Sequence, residues 1–125
     1  MKLRFAGFRC ILFYIGWTSR FQMDENLFEV LTPLGFRVHT TRSYWDLVST
    51  IKHPVMSGHV PEAKECLAEP DYVRQSRTDP DVYLFYRRSH DRWFCAVVKR
   101  LDGGGFLITA YPTDTVKEGV QIWPK

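Results

Sequence analysis

The chain has 125 residues, 45% hydrophobic and 25% charged, with 17 Lys and Arg against 14 Asp and Glu. One domain with a real core fits that length, and the composition excludes a wholly disordered, collagen-like or coiled-coil chain. The net charge of +3 sits at the front: Lys2, Arg4, Arg9 and Arg20 have no acid among residues 1–20, and the rest of the chain sums to −1. Contact with nucleic acid would therefore need a local basic patch.

In chain order, the first feature is an apolar run of eight residues, Cys10 to Trp17, against the roughly 20 that a membrane helix needs. Basic residues precede it as in a signal peptide, but Thr18, Ser19, Arg20 and Phe21 offer no small-residue cleavage site. Cys10, Cys66 and Cys95 are odd in number and far apart, so neither a zinc-type pair nor a disulfide framework is expected. These features point to a cytoplasmic protein with no membrane contact. Patterned sequence begins near Leu27. Residues 1–26 are expected to form an extension outside the core domain, and residues 27–125 a single domain.

Leu27–Thr32 and Phe36–Thr41 are β-favouring runs around Pro33-Leu34-Gly35, which predicts a hairpin. A helix is expected next, capped by Thr41 or Ser43, with Tyr44, Trp45, Leu47, Val48 and Ile51 on one side. Lys52-His53-Pro54 ends it, because proline disfavours helical geometry in the residue before it. A second helix is expected over about Pro61 to Leu67. Four strands follow, Tyr72–Arg77, Val82–Arg87, Trp93–Arg100 and Phe106–Tyr111, with short turns that imply antiparallel neighbours. The expected class is α+β: a hairpin and two helices packed on a four-stranded antiparallel meander.

Strand alternation gives Phe94, Ala96, Val98, Phe106, Ile108 and Ala110 to the helix-facing side, with residue 98 opposite 108 and 97 opposite 109. Arg74, Ser76, Lys99, Thr109 and Tyr111 fall on the other side; the register that decides Arg87 stays open. Residues 71–100 carry seven bases and four acids, interleaved with Tyr72, Tyr83, Tyr86 and Trp93. RNA contact needs such a mixture, cations for phosphates and aromatic planes for bases. A merely solvated sheet face reads the same way. His53, at a helix end, suits either an acid–base role or a cap on the last carbonyls. His39 is expected to be half-buried and structural, and His59 and His90 receive no role. No metal or cofactor site is expected: His, Asp and Glu show no ligand spacing, and Gly103-Gly104-Gly105 lies between strands with no helix behind it.

The ordered strings Tyr44-Trp45, Lys52-His53-Pro54, Pro70-Asp71-Tyr72-Val73-Arg74-Gln75-Ser76, Leu84-Phe85-Tyr86-Arg87, Val97-Val98-Lys99, Ile108-Thr109-Ala110-Tyr111 and Lys117-Glu118-Gly119 before Trp123 resemble a phage-associated, RelE-like family. That family belongs to the barnase–EndoU–colicin–RelE nuclease superfamily. The resemblance covers roughly Phe28 to Pro124. It implies a RelE- or barnase-like fold and a toxin-type endoribonuclease that cuts RNA without metal, by attack of the ribose 2′-hydroxyl on the adjacent phosphate. Mapped onto this chain, His53 is the candidate acid or base, with Tyr111 as its alternative. Lys99, Arg87 and Arg74 would stabilise phosphate charge, Thr109 and Ser76 would orient phosphate oxygens, and Lys117 would add a cation. The partners implied are RNA, free or on the ribosome, and an antitoxin or immunity protein. A non-catalytic RNA- or protein-binding module on the same fold is the alternative.

Overall fold

The structure, a computed structural model, describes residues 26–116 and 119–124. Lys117 and residues 1–25 of the expected extension lie outside them.

Seven strands form one sheet in the order β1-β2-β6-β5-β4-β3-β7. The strands are β1 (Asn26–Leu31), β2 (Arg37–Thr41), β3 (Tyr72–Gln75), β4 (Val82–Ser89), β5 (Arg92–Leu101), β6 (Gly104–Thr113) and β7 (Val120–Trp123). The α+β class is as expected. The hairpin beside a separate four-stranded meander is corrected, and so is the RelE- or barnase-like arrangement. Two pairings make the difference. β2 runs parallel to β6, with Val38 opposite Gly105 and His39 opposite Phe106, which fuses the hairpin into the sheet. At the other edge β7, a strand that the sequence reading does not include, pairs antiparallel with β3.

Glycine makes the parallel joint possible. A Cβ on Gly105 would stand 2.9 Å from Val98 Cγ1 and 3.1 Å from the Phe36 ring, so only a bare backbone lets β2 and β5 approach β6 there. The β5–β6 turn closes on Gly103 at φ +78, a conformation that favours glycine. Residue 97 meets 109 as predicted, but Val98 meets Leu107, because a bulge leaves Ile108 unpaired. Phe106, Leu107 and Ala110 therefore join the helix-side core, and Ile108 does not.

Helix α1 (Arg42–Leu47) starts on Thr41, whose hydroxyl accepts from the Tyr44 amide at 3.1 Å. The sequence predicts one continuous helix to Ile51. Instead the chain widens into a π-turn over Val48–Lys52, closed by the His53 amide on the Val48 carbonyl at 2.7 Å. Local chemistry explains the widening. Ser49 and Thr50 donate their hydroxyls to the carbonyls of Trp45 and Asp46, and Pro54 prevents regular continuation. A single 3₁₀ turn, Pro54–Met56, leads to helix α2 (Val60–Ala68), which has proline in its first turn.

α2 lays Ala63, Cys66 and Leu67 on the sheet, and the Cys66 thiol donates to the Phe85 carbonyl at 3.1 Å. Phe85, Val73, Ala96, Val98 and Leu107 are buried in the same core. Completely burying side chains such as Leu67 or Phe85 contributes roughly 1.5–3 kcal/mol each. The opposite face is not the polar surface that alternation predicts. Its centre is a second apolar cluster, Val82, Leu84, Tyr86, Cys95 and Val97, fringed by Tyr72, Trp93, Tyr111 and Val116.

Candidate functional site

β2 ends at Thr41, where the Thr40 hydroxyl donates to the Leu107 carbonyl at 3.5 Å, and among the described residues the C-terminal half of β6 has no strand beside it on that side. The π-turn and the 3₁₀ turn lie against this edge instead. The π-turn then delivers His53 to Tyr111: the two rings lie 5.2 Å apart, centroid to centroid, at 41°. Single π-turns inside helices are found frequently at functional sites, because they re-aim the residues that follow. Two residues along the same strand face, the Thr109 hydroxyl is buried with no hydrogen-bond partner.

Lys52 completes this corner. Its ammonium donates to the Tyr44 hydroxyl at 3.0 Å and lies 5.2 Å from that ring's centre. Tyr44 is also edge-on to Phe106 at 5.0 Å, and burial pushes its phenol up to about 12. The Tyr44 phenol is thus a fixed hydrogen-bonding group, not a proton source near neutrality. Burial, and after it the charge of Lys52, hold the His53 imidazole below its ordinary 6.5. At neutral pH His53 is therefore uncharged and able to accept a proton.

The other expected site residues are placed elsewhere. Lys99 sits on the same face as Tyr111, but four residues along β5 from its partner Cys95, which is roughly 13 Å at strand spacing. Its ammonium is 2.6 Å from Asp79 Oδ2, with both side chains largely buried. Arg87 pairs with Phe94 and so lies on the helix side. There it donates to the Glu69 carbonyl at the end of α2 and faces Glu65 at 3.6 Å. Its place is that of a helix C-terminal cation.

Arg74 donates to the Gly119 carbonyl at 2.8 Å and borders a shallow depression of about 620 Å³ with Tyr72, Trp93 and Gln121. Tyr72 and Trp93 have ring centres 5.6 Å apart, and the Arg88 guanidinium lies 5.3 Å from the Trp93 centre. The Ser76 hydroxyl is spent in a turn, on the Thr78 amide and hydroxyl. His39 is half-buried and edge-on to Phe106 at 5.2 Å.

The structure thus joins His53 and Tyr111, with Thr109 beside them, and keeps Lys99, Arg87, Arg74 and Ser76 apart. Sequence reasoning missed Tyr44 and Lys52 as members of this corner. The signal was present: a lysine directly before His53-Pro54, eight positions after the tyrosine, at a place where the helix cannot continue regularly. Among the described residues no helix is long and apolar enough to cross a membrane. No family model, curated protein or solved structure matches this chain.

Proposed function

We propose that this protein cleaves RNA at the corner formed by His53 and Tyr111, as the motif resemblance implies. The ring contact between an imidazole held neutral and a phenol is the observation that carries the reading. Neutral His53 takes the proton of a ribose 2′-hydroxyl, and that oxygen attacks the adjacent phosphorus. The bond to the 5′-oxygen breaks, and Tyr111 supplies the proton that the leaving oxygen needs. A 2′,3′-cyclic phosphate and a free 5′-hydroxyl result, and the imidazolium returns its proton to the phenolate through solvent. Lys52, nearer than Lys99, supplies positive charge to the phosphorane, and the buried Thr109 hydroxyl is a donor in reserve for a phosphate oxygen.

The test is incubation of the purified protein with labelled RNA in EDTA. Cyclic phosphate ends are expected, with a loss of 10²-fold or more in His53→Ala, the scale of a missing acid–base group. Intact RNA at high protein concentration, with or without ribosomes, refutes the proposal. A toxin role adds growth arrest on expression, relieved by a neutralising partner protein. A second reading, RNA binding without cleavage, is favoured by one observation: Tyr72, Trp93 and Arg88 form an aromatic and cationic platform beside Arg74. Binding that weakens steeply with salt, without cleavage products, selects that reading.

A further inference from the structure

Antiparallel strands with one face in water alternate apolar and polar residues, whereas strands covered on both faces read as unbroken apolar runs. Two central strands are of the second kind: Val82-Tyr83-Leu84-Phe85-Tyr86 in β4 and Trp93-Phe94-Cys95-Ala96-Val97-Val98 in β5. Phe85, Ala96 and Val98 belong to the helix-side core. Val82, Leu84, Tyr86, Cys95 and Val97 make the second cluster on the other face, with Leu84 opposite Val97 and Tyr86 opposite Cys95. All five keep 8% or less of their surface exposed. An apolar sheet face is buried by a further layer. Of the residues described in that cluster, only Val116 lies outside the strands, and one side chain is no layer for two strands.

One stretch of the sequence has the matching character. Residues 1–25, outside the described part of the chain, contain the run Cys10-Ile11-Leu12-Phe13-Tyr14-Ile15-Gly16-Trp17, with Phe5, Phe8 and Phe21 around it. Large apolar side chains in such succession need a surface on which to leave water. Place and reach also fit. Asn26, the first residue of β1, pairs with Thr41, two residues past His39, which meets Phe106. The start of β1 therefore stands about level with Thr109 on β6, and Thr109, Val97 and Leu84 are successive partners across the sheet. From β1 to β4 is four strand spacings, roughly 19 Å. Residues 18–25 span up to about 27 Å when extended, enough to carry Trp17 from the sheet edge over both strands.

We infer that residues 1–25 supply this second layer: the apolar run Cys10–Trp17 of the same chain docks on the β4–β5 face opposite α2. The inference does not rest on the RNA reading, but it bears on it. Docked there, the segment borders Tyr111, Tyr72 and Trp93, which fringe the same cluster. RNA lying across this face would share it with residues 1–25. A second copy of the chain is the competing occupant.

The test is methyl NMR on the full chain. Nuclear Overhauser contacts are expected between Ile11, Leu12 or Ile15 and Val82, Leu84 or Val97. They are expected within one molecule, so filtered spectra of mixed labelled and unlabelled chains show none between molecules. Leu12→Asp combined with Ile15→Asp is expected to speed alkylation of Cys95 by iodoacetamide about tenfold or more, since it removes two large side chains from the docked surface. Cys66, buried on the helix side, stays protected and reports that the chain is folded. Absence of the contacts, contacts found only between molecules, or a Cys95 rate unchanged by the substitutions overturns the inference. Where the double variant unfolds and exposes Cys66 as well, the contacts in the parent chain decide alone.

Discussion

Thr109→Val tests how the corner is built. The Thr109 hydroxyl is buried on β6 without a partner, and a buried polar group left unmade costs about 1–3 kcal/mol of desolvation. Valine keeps the branched shape and removes the hydroxyl, so a gain of about 1 kcal/mol is expected. For a chain of this size that raises Tm by roughly 4 °C, readable by calorimetry. Thr109→Ser is the control: it keeps the hydroxyl, loses the methyl, and is expected to fall by about 1 kcal/mol. If the hydroxyl is held for a phosphate oxygen, the valine variant gains stability while losing cleavage, the trade seen where function keeps a locally unfavourable group. A Thr109→Val protein less stable than the parent refutes the argument, because the hydroxyl must then have a partner in the folded chain.

Lys52→Met is expected to raise the His53 pKa toward 6.5, read from imidazole NMR signals, because it removes the second of the two causes that lower it. The sign for stability follows. Folded His53 titrates below the unfolded value, so on acidification the unfolded chain takes up this proton first. Its contribution is complete above 6.5 and is lost as the pH falls through the folded pKa; in Lys52→Met that loss is smaller. Lys99→Ala is expected to cost about 2 kcal/mol in urea unfolding, because it takes the cation from a largely buried Asp79 carboxylate. At temperatures where the variant stays folded its cleavage rate is unchanged; a selective loss of rate would return Lys99 to the chemistry.

How much was legible in the sequence follows the range of the interactions. The hairpin, both helix starts and the β3–β6 strand run were readable, because Thr41, Pro61 and the alternation in 93–100 act on near neighbours. The parallel β2–β6 joint was not, since it depends on Gly105 being bare where Val98 and Phe36 close in from distant parts of the chain. The bulge at Ile108 likewise has no marker in its own residues. In the candidate site, the chain at Lys52-His53-Pro54 announced a special place, and alternation put Thr109 and Tyr111 on one face. Arg87 was undecided because one residue of register turns it over, and the observed pairing with Phe94 settles it on the helix side. Lys99 lay on the right face but at the wrong height, a distance that face patterns do not encode.

The seam between β2 and β6 consists of two residue pairs, and the hydroxyl bond beside it joins positions 67 apart in the chain. A contact of that separation must close a long loop before it returns any energy, and it is also among the first to open. His53 sits between two anchors, the hairpin that ends at this seam and α2 packed on β4 and β5, while Tyr111 belongs to the antiparallel side. Opening the seam therefore releases one of the two anchors of His53 while the β3–β6 ladder stays paired. Competence of the corner is a narrower property than foldedness, and warming would extinguish it below the temperature at which the sheet itself melts.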